Sequence, residues 1–291
     1  MIRIALLLLA VVATPLLAKE TSIRHIRGES GQDMRNDYFL AVLTLALEKT
    51  TDEGPWKLKP IDDVMSQGRA LQHLSEGRDL DVVWSMTSIA REQQNRPVRI
   101  PLMKGLMGYR LLIIRAEDQT WFRRLAGVDQ LRELRAGQGH DWPDTEILRS
   151  NGLAVDTAAD YDSLFRMLQQ GRFDYLPRAI NEPWQEVAAR PDLGLAVENS
   201  LLLYYPTAEY FFVHPHNKAL AERLERGLRR AIDDGSFDTL FREHPVNAEA
   251  FGKANILKRQ VIRLTNPLLP KETPFNDPSL WWPPVKTEQP K

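Results

Sequence analysis

The stretch "GQGHDWPDT" at residues 137–145 combines residue types that could hold an anionic group. Two glycines one residue apart precede a proline, and a helix is expected to begin near Asp144, where backbone N–H groups have no partner within the helix. A nucleotide-binding loop would need a third glycine where this chain has Trp142, and Asp141 and Asp144 would repel a phosphate. Backbone N–H groups near Asp144 and Thr145 could instead hold an anionic group of a small ligand, and Trp142 could cover an apolar or cationic part of it, although Asp144 could equally serve as a helix cap.

A second group of polar residues follows the apolar run "LDVVW" at 80–84, which predicts a central strand covered on both sides. In open α/β sheets, ligands bind at the carboxyl end of such strands. Arg91 comes shortly afterwards, and the planar guanidinium of arginine matches the two oxygens of a carboxylate. The residues expected between the strand and Arg91 are Ser85, Met86, Thr87 and Ser88.

The elements that must position these residues alternate between strand-like and helix-like patterns, which indicates an α/β protein. A strand is predicted at 21–27 and another at 109–115, each followed by helical segments. The first helix shows apolar residues at helical spacing, so one of its faces should be buried. An amphipathic helical segment spans 217–244, and prolines from Pro245 onward predict extended chain. The apolar positions of the first helix are Phe39, Val42, Leu43, Ala46 and Leu47.

Composition excludes several classes of protein. The 38 basic and 39 acidic residues leave a net charge of −1, so no basic surface for nucleic acid is expected. There is no cysteine, which excludes disulfides and a lipid-modified cysteine anchor. Residues 1–18 have one arginine, an apolar run and a small residue at Ala18, the layout of a signal peptide cleaved near Ala18. A periplasmic location is expected.

The order of the motifs resembles the bacterial extracellular solute-binding proteins of family 3, the polar amino acid receptors of ABC transporters, from about residue 21 to about 245. This resemblance implies a type II periplasmic binding fold: two α/β lobes, each a mixed sheet flanked by helices, that close on a ligand. The two hinge crossings would be "GLMGYRLLIIR" and "YPTAEYFFVHP". The stretches that carry the resemblance are "LSEGRDLDVVWSMTSIAREQQNRPVRIPL", "LRAGQGHDWPDTEIL", "LFRMLQQGRFDYL" and "LERGLRRAIDDGSFDTLFREH".

The resemblance also implies a division of the chain. After the signal peptide, a first lobe is expected at 19–107, completed by C-terminal helices at 213–250. The second lobe is expected at 108–212, and an extended C-terminal tail at 251–291. We expect a monomer without a cofactor. We also expect no metal site, because neither His140 with its neighbouring aspartates nor "HPH" at 214–216 has a further patterned ligand.

In the family, an arginine three residues after a Thr or Ser clamps the ligand carboxylate, a role that the resemblance gives to Arg91. The family also has an aspartate, about five residues into the strand that Asp174 opens, which pairs with the ligand ammonium. Arg178 stands in this neighbourhood here. Two interpretations follow. In the first, Glu182 or Asp141 receives the ammonium of an ordinary amino acid. In the second, which fits the arginine slightly better, Arg178 faces the cleft and the ligand is acidic at both ends or lacks an amine. The other expected ligand-binding residues are Trp142, Asp144, Thr145, Asn181 and Tyr38.

The function expected from the sequence is that of a non-catalytic receptor, which captures a small polar solute with a carboxylate and delivers it to a membrane permease of an ABC transporter. One alternative is an exported enzyme of the same fold, such as a dehydratase, with Glu182 or Asp144 as general acid. Another is a sensory or interaction protein without transport, in which "WWPP" of the tail docks a partner.

Overall fold

The first β-sheet is built around the apolar strand that the sequence predicted at 80–84. The computed structural model describes residues 20–27, 36–125 and 127–282, and the proposed signal peptide lies outside these ranges. The strands of the whole chain are β1 Thr21–His25, β2 Trp56–Pro60, β3 Val82–Met86, β4 Arg96–Val98, β5 Tyr109–Arg115, β6 Arg135–Gly139, β7 Ala154–Ala158, β8 Leu176–Ala179, β9 Leu195–Val197, β10 Leu201–Tyr204, β11 Glu209–Val213 and β12 Gln260–Arg263.

Helices cover the faces of these strands. Among the described residues, none of the helices is both long enough and apolar enough to cross a membrane. The helices are α1 Asn36–Glu48, α2 Gln67–Ser75, α3 Ile89–Gln94, α4 Gln119–Phe122, α5 Val128–Arg132, α6 Pro143–Ser150, α7 Tyr161–Gln169, α8 Pro183–Ala188, α9 Lys218–Asp233, α10 Ser236–Glu243 and α11 Pro245–Lys253.

The first lobe contains a five-stranded sheet in the order β2-β1-β3-β11-β4, in which β1 is parallel to β2 and β3, and β11 is antiparallel to β3 and β4. Every residue of β3 is buried, as expected for a strand covered on both faces. Helix α1 buries the predicted apolar face and packs against α9. Their contact is close, because a Cβ on Gly227 would lie 2.0 Å from the carbonyl oxygen of Ala46.

The second lobe contains the sheet β12-β10-β5-β8, with β9 pairing the far end of β5. Strand β5 is antiparallel to β8 and β10, whereas β12 is parallel to β10. The short parallel pair β6–β7 joins this lobe through a bridge between Ala136 and Tyr175. The mixed α/β fold of two lobes, each with a sheet flanked by helices, is therefore confirmed.

The two hinge crossings of the resemblance are present. The chain passes from β4 to β5 through residues 99–108, and returns from β10 to β11 through residues 205–208. The crossings touch: the Tyr205 N–H donates to the Gly108 carbonyl at 3.1 Å, and a Cβ on Gly108 would lie 2.5 Å from the Tyr205 oxygen. A glycine is required at this close approach.

The C-terminal segment differs from the expected extended chain. Pro245 is the first residue of α11, a position where a helix tolerates proline because the missing N–H would have no partner. The chain then enters the second lobe as β12, pairing Leu201–Tyr204 of β10 with Gln260–Arg263. The strand expected at 172–177 also lies later, as β8 at Leu176–Ala179, while Gly171 ends the preceding turn with a positive φ of 69°.

Candidate functional site

A cleft between the two lobes gathers charged and aromatic side chains from both sheets. The first lobe contributes the ends of β1 and β3, the start of α1 and residues near α2. The second lobe contributes β5, the start of α6 and the segment that follows β8. The residues that line the cleft are Ile26, Arg27, Asn36, Phe39, Met65, Gln67, Trp84, Met86, Met107, Arg110, Trp142, Asp144, Arg178, Glu182 and Glu209.

Arg178 lies on the second-lobe wall and is bound by two carboxylates. Its Nε donates to both oxygens of Glu186 at 3.0 and 2.9 Å, and its Nη2 lies 2.9 Å from Oε1 of Glu182. The guanidinium stacks over the Trp142 ring at 4.7 Å. Desolvation alone would lower the pKa of Arg178, but the charges of Glu182 and Glu186 outweigh it and raise that pKa. This arginine is therefore neutralised within its own lobe.

Arg110 stands beside Arg178 on strand β5 and is only 2% exposed. Its Nη2 lies 2.8 Å from Oδ1 of Asp144, which also accepts a hydrogen bond from the Tyr205 hydroxyl. Nη2 of Arg110 is therefore ion-paired with Asp144, whereas Nε has no hydrogen-bond acceptor among the described residues. The sequence analysis missed Arg110, although a charged residue in the apolar run "YRLLIIR" is a signal for a partner.

The glycines of "GQGHDWPDT" make room for aromatic rings. Gly137 and Gly139 belong to strand β6, and a Cβ on Gly137 would lie 2.1 Å from Phe173. A Cβ on Gly139 would lie 2.5 Å from the Trp142 indole. The glycines thus let Trp142 fold back against the strand and reach the cleft.

Asp141, in the same turn, crosses to the first lobe. Its Oδ2 accepts a hydrogen bond from the Gly68 N–H at 2.7 Å, in the first turn of α2, where the helix has unsatisfied N–H groups. Its carbonyl oxygen accepts a hydrogen bond of 2.9 Å from Nη2 of Arg91. Asp141 therefore links the lobes directly, by its side chain and by its backbone.

Arg91 is buried and is not among the residues that line the cleft. Its Nη1 donates to Ser85 Oγ and, at 2.9 Å, to the Met86 carbonyl, while Ser88 caps α3 by accepting from the Arg91 N–H at 3.2 Å. Desolvation lowers the pKa of Arg91 to about 10, so the guanidinium is charged at neutral pH. A contact between Arg91 and a ligand stays a prediction.

The remaining predicted residues are distributed between the cleft wall and its supports. Met86, Trp142, Asp144, Arg178 and Glu182 line the cleft. The other four are engaged with protein groups. Thr87 Oγ1 donates to Glu92 at 2.6 Å, Thr145 Oγ1 donates to the Gly139 carbonyl at 2.8 Å, Tyr38 donates to the Leu102 carbonyl at 2.8 Å, and Asn181 Nδ2 contacts Asn247 Oδ1 at 3.3 Å.

Apart from Met86, sequence reasoning also missed the first-lobe wall of the cleft. Trp84 donates from Nε1 to Asn36 Oδ1 at 2.8 Å and stacks on Phe39 at 6.0 Å. Glu209, at the start of β11, is 5% exposed and pairs in register with Met86 of β3. Glu209 and Trp84 lie on neighbouring strands but far apart in sequence, so no local motif announces them. In the described ranges, no three His, Cys, Asp or Glu side chains are grouped to hold a metal ion.

Comparison with known proteins identifies neighbours in structure but not in sequence. No family model and no curated protein matches the chain. An ancestral arginine-binding protein bound to glutamine superposes with a TM-score of 0.59 at 14% identity, covering 76% of this chain and 96% of that one. A periplasmic binding protein of Salmonella typhimurium with high arginine specificity gives 0.57 at 13% identity, covering 76% and 97%.

A third neighbour is an ancestral amino acid-binding protein described as a precursor of cyclohexadienyl dehydratase. It superposes with a TM-score of 0.55 at 10% identity, covering 77% of this chain and 94% of its own. At such identities the comparisons show the fold alone: this chain has the two-lobed architecture of periplasmic binding proteins.

Proposed function

We propose that the protein is a periplasmic receptor that captures a small amino acid or related organic acid between its lobes and presents the closed form to the permease of an ABC transporter. The observation that carries this proposal is the composition of the cleft. Buried ionic groups from both lobes converge there with Trp84 and Trp142, an arrangement suited to a small charged solute. Neighbours of the same fold bind arginine and glutamine.

The balance of charge favours a solute that carries a cationic group besides its carboxylate. Three arginines of the cleft, the exposed Arg27 and the buried Arg110 and Arg178, are matched against three carboxylates, those of Asp144, Glu182 and Glu209. Because Glu186 also neutralises Arg178, little positive charge remains for a second anionic end of a ligand. This balance supports the alternative in which a carboxylate of the cleft receives the ammonium of an amino acid, and it weakens the alternative of a dicarboxylate.

The enzyme alternative would require Asp144 or Glu182 to act on the solute as a general acid. Asp144 is ion-paired with Arg110 and accepts a hydrogen bond from the Tyr205 hydroxyl, and Glu182 is ion-paired with Arg178. Both carboxylates are therefore already engaged with protein cations, which supports a binding role over a catalytic one. We accordingly propose binding without turnover, with no cofactor.

A thermal-shift screen of residues 19–291 with the twenty common L-amino acids, succinate and dipeptides tests the proposal. We expect at least one amino acid to raise the melting temperature, because a ligand that binds only the folded state stabilises it. Mass spectrometry should recover that amino acid unchanged after incubation. No stabilisation by any of these solutes would contradict solute capture, and conversion of the amino acid would contradict a receptor without turnover.

A further inference from the structure

We infer that Arg110, rather than Arg91, receives the carboxylate of the solute, an inference that rests on the proposed function. The two arginines occupy different places. Arg110 lines the cleft from strand β5 of the second lobe, immediately after the first hinge crossing, whereas Arg91 on α3 is buried and is not among the lining residues.

The hydrogen-bond donors of the two side chains are in different states. Both terminal nitrogens of Arg91 already donate to protein oxygens, those of Ser85, Met86 and Asp141. The Nε atom of Arg110 has no acceptor among the described residues, although the side chain is 2% exposed, while Nη2 is ion-paired with Asp144 at 2.8 Å. A buried donor without an acceptor is costly, so a carboxylate that reaches it gains more than it would at a satisfied arginine.

The Nε–Nη2 edge of a guanidinium is the pair of parallel donors that a carboxylate binds with both oxygens. The Tyr205 ring lies against Arg110, with its centroid 5.4 Å from the guanidinium carbon. Asp144 balances the charge of Arg110 through Nη2 at 2.8 Å and leaves Nε without an acceptor. A solute carboxylate at the hinge end of the cleft would therefore give Nε its missing acceptor and share Nη2 with Asp144.

The test compares an amino acid with its decarboxylated amine. The probes are the L-amino acid that gives the largest thermal shift and the matching amine, titrated calorimetrically into wild type, Arg110→Gln and Arg91→Gln. Wild type should prefer the amino acid. Arg110→Gln should lose that preference by at least about 30-fold, the scale for truncating one partner of a buried charge pair. Arg91→Gln should keep the preference, even if weaker closure lowers both affinities.

The outcomes separate the inference from the proposed function. If the preference persists in Arg110→Gln, or disappears in Arg91→Gln instead, the inference is wrong while solute binding stands. If no amino acid binds the wild type, the proposed function fails and the inference with it. Should Arg110→Gln not fold, Arg110→Lys preserves the charge but not the fork, and it should reduce the preference by about tenfold; an unchanged preference would overturn the inference.

An independent observation concerns residues 254–282, which we call the C-terminal strap. It leaves the helices of the first lobe, and its strand β12 extends the sheet of the second lobe. Arg259 anchors this entry by donating to the carbonyls of Ala254, Glu198 and Leu201. Thr265 and Asn151 then exchange hydrogen bonds of 2.9 and 2.8 Å. These contacts fix the strap to the second lobe.

The strap then returns to the first lobe along both hinge crossings. Asn266 donates to the Pro206 carbonyl in the second crossing at 2.9 Å, and the Ile89 N–H at the start of α3 donates to the Leu268 carbonyl at 2.8 Å. Its end lies on the first crossing, where the Trp282 N–H donates to the Lys104 carbonyl at 2.8 Å. The Trp281 ring covers Gly105, where a Cβ would lie 2.6 Å from it.

We propose that the strap limits the opening of the lobes, because a large hinge rotation would pull it away from one of its anchors. Since the natural chain has no cysteine, spin labels can be placed at Lys57→Cys and Glu146→Cys, exposed positions in different lobes. Pulsed electron resonance without ligand should give one narrow distance distribution for the full chain. Deletion of 265–291 should broaden it toward longer distances.

An unchanged distribution after the deletion would overturn the strap proposal. If the deletion prevents folding, the double substitution Asn266→Ala with Trp281→Ala removes two anchors and keeps the strand, and the same broadening is expected. The control is Leu257→Ser, which alters a side chain of the strap that is 89% exposed. A control as broad as the double variant would also contradict the proposal.

Discussion

The carboxylate of Asp141 in the second lobe accepts a hydrogen bond of 2.7 Å from the backbone N–H of Gly68 in the first lobe. Gly68 is in the first turn of helix α2, so the carboxylate occupies a place where a helix attracts an anion. Together with the bond from Arg91 to the Asp141 carbonyl, this contact joins the two lobes directly.

Replacing Asp141 by alanine should therefore favour an open arrangement. Small-angle scattering of the ligand-free protein should show a larger radius of gyration than that of wild type. Asp141→Asn keeps an acceptor oxygen without the charge and should fall between the two. Asp129→Ala is the control, because the Asp129 side chain is 89% exposed and pairs with Arg132 of its own helix. Identical scattering from all four proteins would show that the Asp141 contact does not hold the lobes.

Gly139→Ala should weaken solute binding without unfolding the protein. The added Cβ would lie 2.5 Å from the Trp142 indole, so the ring must move away from strand β6 and from Arg178. Calorimetry should show an affinity for the solute that is lower by about tenfold or more, because the solute loses its contact with the displaced ring. Gly127→Ala is a matched control, since a Cβ there meets nothing within 4 Å. An unaltered affinity would mean that Trp142 does not cover the solute.

Gly227→Ala should destabilise the first lobe. Alanine favours a helix by about 1 kcal/mol over glycine, but overpacking a close contact costs about 1–3 kcal/mol. The Cβ would lie 2.0 Å from the Ala46 carbonyl oxygen, which belongs to backbone and cannot swing aside, so the cost should prevail. We expect a melting temperature several degrees lower. The control is Gly252→Ala in α11, which has open space and should leave stability equal or higher.

Stability should decrease as the pH falls below about 6.5, the ordinary pKa of histidine. Desolvation lowers the pKa of buried His25, so the unfolded chain takes up a proton before the folded chain does, and acid favours unfolding. Urea titrations between pH 7.5 and 5 give the free energy of unfolding at each pH. A plot of this free energy against pH should have a shallower slope for His25→Gln than for wild type. Burial also lowers the pKa of His244, which should leave a residual slope. A slope equal to that of wild type would contradict the assignment to His25.

The fold could be predicted from sequence where burial leaves a local pattern. The apolar run that becomes β3 and the helical spacing of Phe39, Val42 and Leu43 in α1 each report their own surroundings. The pairing of β12 with β10 could not be predicted, because it joins segments about sixty residues apart and β12 has only four residues. The prolines around it were typical of extended chain instead.

The candidate site was predicted in part, for a similar reason. The turn at 137–145 and the segment from Arg178 to Glu182 do reach the cleft. Arg91 and Arg110, however, differ in the oxygens that surround them. Arg91 donates to the backbone carbonyls of Met86 and of Asp141, the second of which comes from a distant segment of the chain. Residue type and spacing do not reveal which arginine has its donors already occupied.

The most direct test of solute capture is a crystal structure of the chain grown with the L-amino acid that gives the largest thermal shift. The account predicts electron density for one amino acid between the lobes, with its carboxylate on Arg110 and Trp142 against its body. Density at another surface, or a closed cleft holding no amino acid at saturating concentration, would contradict it.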